Sequence, residues 1–304
     1  MGLTVCTLDH WFGRTWAKVQ TRPSPGFVCM ALTLDSRVRL NNGVEMPVLG
    51  LGVWNIPAGR ATQASVRSAL DTGYRHIDTA KLYGNEADVA IAVQESGVPR
   101  EDVFVTTKLW NTDHGYKGAI QAFEESLSRM RMDYVDLYLI HWPVRGPARI
   151  ESWDALIDIY KAGKCRAIGV SNYMMNHLEE IRGNPIVPTV NQIEFSPFLY
   201  QKEILEYCRQ RGIVVEAYSP LTRGRRLNDR RLQAIAAKYG RSPAQILLRW
   251  GLQHGLVLIP KSSRPDHIRE NANVFDFEIR AEDMAALDAL DEQHHMAWDP
   301  TGAP

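Results

Sequence analysis

From residue 37 onward the chain switches regularly between two hydrophobic rhythms. Eight short runs are almost continuously apolar: VLGLGVW, YRHIDTA, VFVTTKLW, VDLYLIHWP, CRAIGVSN, TVNQIEF, VVEAYSPL and LVLIPKS. Runs of that length and character suit parallel strands buried on both faces. Between them, stretches such as ATQASVRSALDTG, AIQAFEESLSRM, WDALIDIYKAGK and LQAIAAKYG carry apolar residues at three- and four-residue spacing, and several end in Gly just before the next strand. These are amphipathic helices with their usual stop signal. Eight strands alternating with helices predict an α/β fold, a closed (β/α)8 TIM barrel rather than an open sheet. Ahead of the first strand, Val38-Arg39-Leu40 and Val44-Glu45-Met46 flank Asn41-Asn42-Gly43. An Asn-Gly turn between alternating segments predicts a β-hairpin, placed to close the bottom of the barrel.

The length of 304 residues fits one such barrel, assigned to residues 36–304, plus an extension over residues 1–35. That extension has no helical or strand period, and its Pro23-Ser24-Pro25-Gly26 reads as a linker. It lacks the apolar core of a signal peptide, and Cys6 stands where a myristoylation pattern needs Ser or Thr. It is read as a flexible extension, or as the product of an upstream start with Met30 as the natural one. Arg14, Lys18 and Arg22 against Asp9 leave organellar targeting as the alternative to a cytoplasmic location. Thirty-five basic residues balance 35 acidic ones with no basic block, which argues against nucleic acid or an anionic membrane as partner. The longest apolar run, Ile246 to Pro260, is broken by Arg249, Gln253 and His254 and is too polar to span a bilayer. Four scattered cysteines without a C-x-x-C spacing suit a reducing compartment.

In a (β/α)8 barrel the chemistry gathers where the strands end. The strand ends here carry Trp54, Asp78, Lys108, His141, Ser171-Asn172, Gln192, Tyr218 and Lys261-Ser262. Asp78 and Lys108 have opposite charge and come from neighbouring strands, so a buried ion pair is the natural arrangement. Alone, such a pair could be purely structural. Tyr83, in the loop after Asp78, can fold back toward Lys108. A phenol titrates near ~10, and an ammonium within about 4–6 Å favours the phenolate. Sequence position therefore predicts a Tyr83 whose pKa is lowered until it can act as a general acid. Asp78 would hold Lys108 charged, and His141 would aim a second donor at the same centre. This set suits protonation of a carbonyl oxygen. It contains no nucleophile for acyl transfer, and the hydride it lacks must come from a cofactor.

Taken in order, HIDTAKLYGNE, VTTKLWN, YLIHWP, GVSNY, NQIEFSPF, EAYSPL and IPKSSRPDHIREN resemble the aldo-keto reductase superfamily over roughly Ser36 to Pro300. The resemblance is to compact microbial-type members related to 2,5-diketo-gluconate reductase and protozoan prostaglandin F synthase. It implies a catalytic tetrad of Asp78, Tyr83, Lys108 and His141. It also implies a nicotinamide cofactor held without a Gly-rich turn. Tyr218 would stack on the nicotinamide, Ser171, Asn172 and Gln192 would hold its carboxamide, and Ser219 and Leu221 would follow in the same loop. Lys261, Ser262, Ser263 and Arg264 would meet the ribose 2′-phosphate, and Glu270 and Asn271 the adenine. His267 stands where many NADPH-preferring members have Arg, a bidentate phosphate ligand. NADPH is still favoured, with NADH possible, because Arg264 or Arg269 can compensate.

Trp54, Trp110 and Trp142, with His141 at the base, would line a pocket for a small carbonyl substrate, and Trp298 would close one side. The family default is a monomer. Two other readings remain open at the level of sequence. One is a cofactor-binding regulatory or structural relative with little turnover. The other is a metal-dependent barrel hydrolase using His76, Asp78 and His141. No H-x-H or H-E-x-x-H supports the latter, and no metal site is expected.

Overall fold

The computed structural model describes residues 32–144 and 146–302. Most of the N-terminal extension, with Cys6, Cys29 and the Pro-Ser-Pro-Gly linker, lies outside them. The predicted hairpin forms first. Strands β1 (Arg37–Arg39) and β2 (Glu45–Pro47) pair antiparallel, with Val38 opposite Met46. Gly43 takes a φ of 89° in the turn, a conformation that a side chain would resist.

Eight strands then follow: β3 (Leu51–Gly52), β4 (His76–Asp78), β5 (Phe104–Leu109), β6 (Val135–Ile140), β7 (Cys165–Ser171), β8 (Val190–Glu194), β9 (Val214–Tyr218) and β10 (Val257–Leu258). All eight predicted runs contain one. Every neighbouring pair is parallel and in sequence order. The ring closes where Leu49 bridges Leu258 and Gly52 bridges Lys261. Gly50 N–H donates to Leu258 O at 2.8 Å, and Leu258 N–H to Val48 O at 3.0 Å.

Among the described residues, ten α-helices accompany the strands: α1 (Arg60–Thr72), α2 (Glu86–Gln94), α3 (Tyr116–Met130), α4 (Ala148–Lys161), α5 (Met175–Glu180), α6 (Lys202–Gln210), α7 (Arg230–Tyr239), α8 (Pro243–Gln253), α9 (Pro265–Ala272) and α10 (Ala281–Asp288). The long apolar run that opens at Ile246 is most of α8 followed by β10. Gly73 and Gly240 end α1 and α7 in the left-handed conformation; Gly73 precedes a strand as expected, whereas Gly240 leads into α8.

Two apolar cores result. The larger lies between the ring of strands and the surrounding helices, and Leu32 and Leu34 pack against it. The smaller fills the lower interior of the barrel, where Leu40 and Met46 of the hairpin segment meet Phe104, Leu137, Leu139, Ala167, Val190 and Val257. The hairpin therefore caps the bottom, and the upper end is left for polar side chains. Among the described residues, no helix is long and apolar enough to cross a membrane.

The lower interior is tight enough to dictate residue size. A Cβ at Gly169 of β7 would lie 2.5 Å from the Val190 carbonyl oxygen and 2.8 Å from a Leu139 methyl. The first of these is backbone and cannot swing away. Gly169→Ala is expected to destabilise the barrel by about 1–3 kcal/mol, the usual penalty for overpacking. A chemical denaturation midpoint equal to that of the parent would contradict this packing.

Candidate active site

The register of the strands brings the polar residues to one level. Asp78 lies opposite Thr106, so Lys108, two residues further along β5, is on the same face and reaches back to it. Lys108 Nζ donates to both Asp78 carboxylate oxygens, at 2.7 and 2.8 Å, and to Thr79 O at 2.9 Å. Its fourth neighbour is the Tyr83 hydroxyl at 3.3 Å. Asp78 and Lys108 are both buried, so the pair is held in a low-dielectric interior by several charge-assisted bonds.

Tyr83 reaches this point because its loop is pinned at both ends. Residues 81–83 form a single 3-10 turn, closed by Gly84 at a φ of 69°. Thr79 Oγ1 donates to Asn85 Oδ1 at 2.8 Å across the base of the loop. Buried Asn85 Nδ2 donates to Val53 O and Ile56 O at 3.1 and 3.3 Å. These braces were not recognised in the sequence, although HIDTAKLYGNE contains both Thr79 and Asn85.

The phenol departs from the expected protonation behaviour. Burial holds Tyr83 well above its usual range, and the negative charge of Asp78 pushes the same way, as that of Glu216 does whenever it is ionised. The expected lowering by Lys108 does not emerge, because its charge is already matched by the bidentate Asp78 carboxylate. Tyr83 is thus a protonated hydroxyl beside an ammonium.

His141, at the end of β6, packs edge-on against Tyr83 at 5.6 Å and against Trp110 at 5.2 Å between ring centroids. Burial, and then the charge of Lys108, hold its pKa well below the usual histidine value, so it is a neutral imidazole. Its buried Nδ1 has no hydrogen-bond partner. A bare lone pair is tolerated there better than an orphaned N–H, which assigns the proton to Nε2. A neutral ring in that tautomer can donate to a carbonyl oxygen.

Above this floor lies a cavity of about 800 Å³. Of the residues singled out in the sequence, Trp54, Asp78, Tyr83, His141, Trp142, Ser171, Asn172, Gln192, Tyr218, Ser219, Leu221, Lys261, Ser262, Ser263, Arg264, His267 and Trp298 line it. Lys108 is sealed beneath. Trp110, Glu270 and Asn271 are not in the lining. Trp110 instead backs His141, and Asn271 is buried on α9. Arg269 also stays outside and pairs with Asp266, whereas Arg264 is in the lining.

The polar lining is already organised. Ser171 Oγ donates to Gln192 O at 2.8 Å. Asn172, at a φ of 62°, donates from Nδ2 to His141 O at 2.9 Å and accepts from the Tyr218 hydroxyl at 2.8 Å. That bond fixes the Tyr218 ring along the wall. The cavity lining combines aromatic and amide groups with Lys261, Arg264 and two serines of the same segment. This donor set fits a nicotinamide dinucleotide, flat and amide-bearing at one end and phosphorylated at the other.

Sequence reading missed part of the wall. Arg223, Gly224 and Leu227 come from the β9–α7 loop, and Met296 and Ala297 from the C-terminal segment. The latter two are held by Glu194, whose carboxylate accepts their backbone N–H groups at 2.7 and 2.9 Å. Trp298 then meets Trp142 at 5.1 Å. Among the described residues, no group of three or more His, Cys, Asp and Glu is arranged to hold a metal ion.

Comparison with known proteins agrees with this geometry. The family model described as Aldo/keto reductase family matches residues 48–292. The chain is 50% identical over 272 residues to glyoxal reductase of Bacillus subtilis (strain 168), covering 89% of this chain and 98% of that protein. It is 46% identical over 267 residues to 9,11-endoperoxide prostaglandin H2 reductase of Trypanosoma cruzi (strain CL Brener), covering 86% and 94%. A crystal structure of an aldo/keto reductase from Brucella melitensis superposes with a TM-score of 0.81 at 44% identity, covering 84% of this chain and 99% of that one. The chain belongs to the aldo/keto reductase family and is an NAD(P)H-dependent oxidoreductase.

Proposed function

We propose that the protein reduces aldehydes and ketones to alcohols with NADPH, Tyr83 serving as the general acid. The observation that carries this reading is the Tyr83 hydroxyl on the floor of the cavity, 3.3 Å from an ammonium that is itself locked onto Asp78. Tyr83 and the Nε2–H of His141 polarise a carbonyl oxygen placed between them. Tyr83 then gives up its proton, and Lys108 stabilises the phenolate left behind.

Tyr218 provides a flat wall for the nicotinamide, with Ser171, Asn172 and Gln192 near its carboxamide. Ser219, Leu221 and the Lys261–Arg264 segment, with His267, receive the phosphates and ribose. When bound, the reduced cofactor supplies the hydride. Exposed Lys261 and Arg264 support a preference for the 2′-phosphate.

Trp54, Trp142 and Trp298 give the pocket aromatic walls with few polar groups, which favours a broad range of small aldehydes, dicarbonyls and keto-sugars. Cys165 and Cys208 are free and buried, in keeping with a reducing compartment. We place the enzyme in the cytoplasm as a monomer.

A panel of carbonyl compounds with NADPH and NADH, followed by nicotinamide absorbance, tests the activity itself. Tyr83→Phe is expected to lower kcat by roughly 10²–10⁴-fold, the share usually carried by a positioned acid, with NADPH affinity nearly unchanged. Retained turnover in that variant would rule out Tyr83 as the donor. His267→Arg is expected to raise the NADPH-to-NADH ratio of kcat/KM by about tenfold, the worth of a good bidentate contact. An unchanged ratio would show that Arg264 already supplies the discrimination.

A further inference from the structure

Beneath the tetrad lies a second carboxyl group with no role in the reading above. Glu216 of β9 is fully buried and stands opposite Gln192 in the strand register. Gln192 Nε2 donates to both Asp78 Oδ2 and Glu216 Oε2, each at 2.8 Å. One amide nitrogen therefore ties two buried carboxyl groups together. The titratable groups facing Glu216 are His76 and Asp78 of β4 and Lys108 of β5, with the Tyr83 phenol above.

Among the described residues no lysine or arginine is bonded to Glu216, although the charge of Lys108 still favours its ionised form. The Lys108 ammonium has three N–H groups and already faces four acceptors, none of them on Glu216. His76 Nε2 lies 3.4 Å from Glu216 Oε1, and Oε1 has no aligned hydrogen-bond donor. An ionised carboxylate with a bare oxygen in a dry interior would be heavily penalised. A carboxylic acid would not be, because its O–H can point at His76 Nε2 in the tautomer whose Nδ1–H faces the Pro47 carbonyl, with Thr106 Oγ1 beside the same nitrogen at 3.3 Å.

We propose that Glu216 is a positioning residue that works as a neutral carboxylic acid: it accepts one N–H of Gln192, leaves Asp78 committed to Lys108, and keeps a second negative charge away from Tyr83. The proposal rests on the carbonyl-reductase reading for its effect on activity. Its claim about the proton stands apart from that reading. Burial, and then the charge of Asp78, push Glu216 up to about 8, and burial pulls His76 down to about 3. An ionised Glu216 would raise the phenol further and make it a poorer donor, so activity should fall as the pH climbs past that point.

The test compares the native protein with Glu216→Gln, a neutral isostere that still accepts from Gln192, and with Glu216→Leu, which cannot. The acid holds its proton more tightly in the folded than in the unfolded protein. Its stabilising contribution is therefore complete below the ordinary value of 4.5 and is lost as the pH rises through about 8. The Tm of Glu216→Gln, relative to native, is expected to climb by several degrees between about pH 5 and pH 9. In kinetics, Glu216→Gln should keep native kcat/KM near about pH 6 and shift the alkaline limb upward by at least about one pH unit. Glu216→Leu should weaken NADPH binding, read by fluorescence, by about tenfold through the freed Gln192.

A Tm difference that is flat or falls with pH would overturn the proposal. So would a Glu216→Gln variant crippled at about pH 6, the mark of a carboxylate that must be charged. If the native protein reduced no carbonyl compound, the functional reading would fail on its own, and the Tm comparison would still decide this one.

Discussion

The Lys108 ammonium, buried in the barrel mouth and clamped by Asp78, is the interaction on which the rest of the site depends. A charge in that position is tolerable only with a near-complete set of acceptors. The structure supplies them from one short piece of chain: both oxygens of Asp78, the carbonyl of Thr79 and the hydroxyl of Tyr83. Desolvation of the cation thus selects the conformation of the Asp78–Tyr83 loop, and that conformation places the phenol. Burial, and then this pairing, explain why the phenol remains protonated. The field of Lys108 is matched by Asp78 at rest; in the proposed reaction it becomes useful when negative charge grows on the Tyr83 oxygen, the point where stabilisation accelerates it.

The two ends of the barrel are built to different rules. The lower end is apolar, plugged by the hairpin and packed closely enough that Gly169 admits no side chain. The upper end keeps its strand ends polar, and several of its residues bend away from ordinary backbone geometry. Asn172, Ser219, Thr222 and Arg223 all have positive φ, and all but Thr222 line the cavity. Such conformations persist where surrounding structure holds them. For Asn172 the holding contacts are its bonds to His141 O and the Tyr218 hydroxyl.

Much of this was legible in the order of residues. Strand runs are continuous and apolar because both faces of a parallel barrel are buried, so periodicity marked all eight, and a charged or amide residue at the end of such a run stood out. The remainder depended on contacts between distant segments, which leave no local pattern. Glu194 looked like one residue of a motif, yet it holds the C-terminal segment about a hundred positions away. Glu216 was submerged in an apolar run, and its contact with His76, weighed in the sequence only as a metal ligand, emerged only when β4 was seen to meet β8 and β9 across the barrel. Trp110 was expected on the pocket wall; it contacts the His141 ring but is not part of the cavity lining. Glu270 and Asn271 were expected at the cofactor, but the course of α9 leaves both outside the cavity lining. The lowered phenol pKa was inferred from one neighbour, whereas burial and the matched charge of that neighbour decide it.

The account turns on two donors converging on one oxygen atom. A crystal structure of the protein with oxidised NADP and a carbonyl-bearing inhibitor measures this directly. The account requires the inhibitor oxygen within about 2.6–3.2 Å of both the Tyr83 hydroxyl and His141 Nε2, with Lys108 still against the phenol. An inhibitor oxygen bound elsewhere, or a phenol turned away from Lys108, would contradict it.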